Sequence, residues 1–126
     1  MSTVVTVEGN LVADPRLNMT SNGKPVANLR VAVSSRRKTR DGDYADTPPL
    51  FYDVTVWGAM ADNAAASLHS GDRILVCGVS YLDTYRDAAG EQRTKHVLDA
   101  DAVGVSLRYA TATPVKPRQG LHAIDG

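Results

Sequence analysis

The sequence contains one cysteine, one tryptophan and one phenylalanine, and no apolar run near the roughly 20 residues that cross a bilayer as a helix. The lone Cys77 excludes an intrachain disulfide and any paired-cysteine zinc site, and it suits a reducing compartment. In an apolar strand it reads as a small buried hydrophobe. The opening residues MSTVVTVEGN have neither the basic nor the apolar region of a secretory leader, so a soluble, cytoplasmic protein is expected. Net charge is missing too: 14 Lys and Arg balance 14 Asp and Glu, so the sum does not point to a polyanionic partner. A phosphate-cradling Walker loop is absent, because the only Gly-Lys pair, Gly23-Lys24, follows a turn signal and precedes a proline. His69, His96 and His122 fall on different predicted elements. Asp99 and Asp101 alternate on one strand face, where solvated carboxylates are common. No catalysis, metal or other cofactor is expected.

At 126 residues the chain is long enough for one domain with a real core. Apolar residues alternate over residues 3–11, placing Val5, Val7 and Leu11 on one side of a strand. Asp14-Pro15 breaks that strand. Ser21-Asn22-Gly23 is a turn signal leading into a second strand over 26–35, with Leu29, Val31 and Val33 inward and Asn28, Arg30, Ala32 and Ser34 outward. Residues 36–49, RRKTRDGDYADTPP, have little that could enter a core and read as a long exposed loop. A third strand covers 50–57. The alanine-rich stretch 59–69 reads as one short helix, with Gly71 placed to end it. Residues 73–82 are apolar on both faces, 82–95 read as a projecting hairpin turning at Ala88-Ala89-Gly90, and 96–107 form the last strand. Three strands, a helix and two strands suit an all-β fold: a five-stranded OB-type Greek-key barrel with the helix between strands three and four. Residues 1–109 form the domain, and 110–126 read as a short disordered tail.

The third strand puts its bulk on the unexpected side. If Tyr52, Val54 and Val56 point into the core, then Phe51, Asp53, Thr55 and Trp57 point out, and that face holds the only Phe and the only Trp. Six residues apart, the two rings are separated by about 20 Å and cannot stack on each other. Arg30 shares the face from the neighbouring strand. Arg36, Arg37, Lys38 and Arg40 place four cations within five residues of the long loop, beside Tyr44. Tyr85 and Arg86, with Arg93 and Lys95 nearby, place more on the hairpin. Aromatic platforms interleaved with cations are what single-stranded nucleic acid requires: bases stack and phosphates are tracked by basic side chains. A strand-end tryptophan and a charged loop also occur for packing and solvation alone, so the joint placement carries the argument.

The motifs VEGNLVADP (7–15), SNGKPVANLRVAVS (21–34), FYDVTVWG (51–58) and GEQR (90–93), taken together, resemble bacterial single-stranded-DNA-binding proteins of the homotetrameric OB-fold family, over residues 3–108. The resemblance implies base-stacking positions at Phe51, Trp57 and Tyr85, and a fourth at or beside Arg37, where charge replaces a ring. It implies a position near subunit contacts at Tyr52. It also implies sequence-independent binding and protection of single-stranded DNA in replication, recombination or repair, by a nucleoid-associated homotetramer. Family members that recruit replication and repair enzymes end in an acidic tip closed by an apolar residue. Here the sequence reads HAIDG, as in shorter, tailless paralogues, so tip-mediated recruitment is not expected. Two other classes stay open on the sequence: an OB-fold adaptor whose main role is protein contact, as in a primosome component, and a nuclease using Asp99 and Asp101.

Overall fold

The computed structural model describes residues 3–34, 36–38, 42, 44–46 and 48–116, with the backbone alone for 36–38 and 44–46. Five strands close a barrel around one apolar core: β1 (Thr3–Leu11), β3 (Pro25–Val33), β6 (Leu50–Trp57), β7 (Arg73–Arg86) and β8 (Gln92–Val105). β1 runs antiparallel to β7 along most of its length, then passes to β3 at Asn10 and Leu11, which face Ala32 and Val31. β3 pairs with β6, and β6 with β8 in parallel, Tyr52 opposite His96 through Thr55 opposite Asp99. β8 returns antiparallel to β7 and completes the circuit. This is the OB-type Greek-key barrel, with the helix α1 (Ala59–Ser67) between its third and fourth strands.

The alternation read from the sequence is what buries the core. Leu11, Leu29, Val31, Val54, Val56, Ile74, Val76 and Leu98 are all buried, each stabilising the fold by about 1.5–3 kcal/mol relative to exposure. Just before β1 passes to β3, Gly9 lies against the β3 backbone; a Cβ there would collide with the Ala32 carbonyl oxygen, so only glycine lets the seam close. α1 packs on β3 and β6 through Ala61 and Ala64, small enough for close approach.

Several elements differ from expectation. An additional strand, β2 (Arg16–Met19), follows Asp14-Pro15 and hairpins onto β3 through the Thr20–Lys24 turn; Leu17 and Met19 alternate with Arg16 and Asn18, but over only four residues, and all four are exposed. The expected loop 36–49 contains β4 (Arg36–Lys38) and β5 (Tyr44–Asp46), paired antiparallel. The helix ends at Ser67, because Leu68 turns extended to bury its side chain in the core. Gly71, at φ 93°, serves the turn after it, donating its N–H to the Leu11 carbonyl. The central strand and the projecting hairpin are one ribbon: β7 runs unbroken to Arg86, and β8 leaves Gln92 directly opposite. Within that ribbon Cys77 faces Ala102 and Gly78 faces Ala100, so Asp101 is the extra residue of a bulge and the simple alternation of Asp99 with Asp101 is interrupted. Cys77 is half-buried, not a core residue, because it lies on the side of β7 away from Ile74 and Val76. Residues 110–116 are exposed without helix or strand, and 117–126, including HAIDG, lie outside the described residues.

Candidate nucleic-acid interface

The outward face of β6 is built by strand parity. Val54 and Val56 fill the core and Tyr52 packs at its margin, its ring 5.2 Å from that of His96. Their neighbours Phe51 and Trp57 are thereby turned to solvent, 41% and 50% exposed. Arg30 lies opposite Asp53 in the β3–β6 register, on the same face. Its Nη1 donates to Asp53 Oδ1 at 3.0 Å, while its guanidinium carbon lies 4.7 Å from the centre of the Phe51 ring.

The ribbon supplies the opposite wall. Tyr85 is opposite Arg93 and Asp83 opposite Lys95, which puts these four on one face of the β7–β8 pair. Tyr85 is 46% exposed, and the Lys95 Nζ stands 5.6 Å from its ring centre and 3.7 Å from Asp53 Oδ2. Arg30, Leu50, Phe51, Asp53, Tyr85 and Lys95 so line an open groove of about 460 Å³. Each aromatic wall has a cation beside it.

The structure brings Arg30, Phe51 and Tyr85 together, with Arg93 across from Tyr85 on the same ribbon face but engaged with the hairpin turn, and sets Trp57 and Arg86 apart from them. Trp57 shares the outward face but stands at the far end of β6, opposite Val26. Arg86 alternates with Tyr85 and so belongs to the other face of the ribbon, where its Nη1 donates to the Gly90 carbonyl at 2.9 Å. Arg93 donates from Nε to Asp87 Oδ2 at 3.0 Å. That bond, with N–H groups of Ala89 and Glu91 donated to Oδ1, holds the Asp87 carboxyl below the usual range and fixes the hairpin turn. Arg36, Arg37 and Lys38 lie on β4, without described side chains, and Arg40 lies outside the described residues.

The sequence groups Lys95 with the hairpin cations and places Asp53 on the outward β6 face, but neither is among the expected DNA-binding residues. Lys95 had a signal, since extending the hairpin pairing back from Gly90 puts it on the Tyr85 face. Its approach to Asp53 depends on the parallel β6–β8 register, which joins segments over 40 residues apart and has no local signature. Among the described residues, no group of three or more His, Cys, Asp or Glu could hold a metal ion, and no helix is long and apolar enough to cross a membrane.

A closed five-stranded OB barrel with an aromatic and basic groove is the architecture of an oligonucleotide-binding module. Residues 2–106 match the single-strand binding protein family, and the chain belongs to that family. It is 39% identical over 126 residues to a single-stranded DNA-binding protein 1 of Tropheryma whipplei, covering 99% of this chain and 68% of that one. With single-stranded DNA-binding protein 2 of Streptomyces coelicolor it shares 44% identity over 115 residues, 90% of this chain and 58% of the relative. A crystal structure of a small single-stranded DNA-binding protein from Streptomyces coelicolor superimposes with a TM-score of 0.74 at 30% identity, covering 84% of this chain and 95% of that one.

Proposed function

We propose that the chain binds single-stranded DNA without sequence preference and protects it during replication, recombination or repair. The observation that carries this reading is the groove in which Phe51 and Tyr85 each stand exposed beside a cation, Arg30 and Lys95. Bases stack on the rings at about 1–3 kcal/mol each, and the cations meet the phosphates. Trp57 extends the track along β6. Arg36, Arg37, Lys38 and Arg40 extend it along the outer loop, and Arg86 and Arg93 serve at the ribbon tip after exchanging their turn contacts for phosphate. The binding domain is residues 1–109, with 110–126 a tail. Exposed Val4, Leu75 and Leu82 on β1 and β7 support assembly into a homotetramer, which works in association with the nucleoid. No specific observation favours an adaptor.

Titration with unstructured oligo-dT, followed by the fluorescence of the single Trp57, tests the reading. Quenching is expected, with log affinity falling linearly in log salt by about 0.7 per phosphate neutralised. Absence of both quenching and a mobility shift at low salt refutes it.

A further inference from the structure

The groove carries its own counter-ion. Asp53 stands between the two walls, with Oδ1 accepting from Arg30 at 3.0 Å and Oδ2 3.7 Å from the Lys95 ammonium. We infer that Asp53 is an internal competitor for nucleic-acid phosphate: its carboxylate keeps the groove partly self-neutralised and sets the affinity and salt dependence of binding. The inference rests on reading the groove as a single-stranded-DNA site.

Both oxygens of Asp53 face cations, so the carboxylate is committed to the groups that would otherwise meet phosphate, not presented to a base edge. Arg30 and Lys95 supply two positive charges and Asp53 removes one, leaving a net charge of one where two cations face the ligand. The side chains are 51%, 42% and 33% exposed for Arg30, Lys95 and Asp53, so these pairs sit in high dielectric and are weak enough for phosphate to displace. The displaced carboxylate stays on β6, because Asp53 is held in register with Arg30 on one side and Val97 on the other. Every bound phosphate at this point therefore stands beside a fixed negative charge. Two like charges about 4 Å apart in water cost about fivefold in an equilibrium constant.

Asp53→Asn tests this, since it keeps shape and an acceptor for Arg30 while removing the charge. Asp53→Ser serves as a second variant, and thermal melting confirms that each is folded. Both are expected to bind oligo-dT about fivefold more tightly than the native chain at low salt, with the advantage shrinking as salt rises. The plot of log affinity against log salt should steepen by about 0.7, one further phosphate contact. If the native chain binds and folded variants bind equally or more weakly with the same slope, Asp53 merely positions the cations or does nothing, and the inference is overturned alone. If neither native chain nor variants bind, the functional reading fails and the inference with it.

Discussion

Phe51 and Val54 lie three positions apart on β6 but on opposite faces, and replacing each by alanine separates binding from folding. Phe51 is 41% exposed, and the specific contact it loses is the Arg30 guanidinium over its ring, worth about 0.5–1 kcal/mol at an exposed site, beyond the burial of its covered edge. For a domain of this size that lowers the melting temperature by about 2–5 °C. Loss of a stacking platform removes about 1–3 kcal/mol of binding, between about fivefold and 150-fold in affinity. Val54 is 1% exposed. Val54→Ala deletes two buried carbons and leaves a cavity, costing about 2–3 kcal/mol and about 10 °C, with affinity per folded molecule unchanged. Differential scanning fluorimetry and oligo-dT titration by anisotropy read the two quantities separately. If Phe51→Ala melts as low as Val54→Ala while its folded fraction binds normally, the ring packs rather than stacks, and the groove is not the binding surface.

Gly9→Ala should destabilise the barrel by about 1–3 kcal/mol or more, measured by urea unfolding, because the Ala32 carbonyl blocking the new methyl is backbone. Glu8 accepts from Arg73 Nε at 2.6 Å and from Ser106 Oγ at 2.9 Å, with Arg108 at 3.5 Å, and the Arg73 hydrogen bond above all holds its carboxyl below the ordinary 4.5. A depressed folded value means that the contribution is complete above about 4.5 and is lost as pH falls through the folded value. Melting temperature followed downward from pH 6 should therefore fall less in Glu8→Gln than in the native chain below pH about 4.5; equal falls would refute the linkage.

The barrel was legible in the sequence wherever a strand has one wet face and one dry one. The alternation in β1, β3 and β6 placed Leu11, Leu29, Val31, Val54 and Val56 inward, as found. β2 was harder to read because its alternation, Leu17 and Met19, spans only four residues and buries neither face, and β4–β5 because charged residues filled the segment. The helix end shifted because burial of Leu68 outweighed continued helical periodicity. Among the candidate site residues, the outward placement of Phe51, Arg30 and Tyr85 was readable from strand parity together with aromatic and cationic character. Arg86 was not placed by its neighbour in sequence, since adjacent strand residues face opposite ways. Lys95 meeting Asp53 required the parallel register between distant strands, which local sequence does not encode.

The β7–β8 ribbon is held differently along its length. β1 grips β7 over residues 73–80 and β6 grips β8 over 96–99, and beyond those points the two strands pair, among the described residues, only with each other. A two-stranded ribbon has little rigidity of its own. The groove consequently has one jaw set in the barrel, bearing Arg30, Phe51 and Asp53, and one jaw on a cantilever, bearing Tyr85 and Lys95. On the proposed reading of Phe51 and Tyr85 as stacking platforms, such a cantilever lets the gap between the two rings adjust at little cost to a purine or a pyrimidine. On that reading, indifference to base identity is a mechanical property of the scaffold as much as a chemical property of its rings.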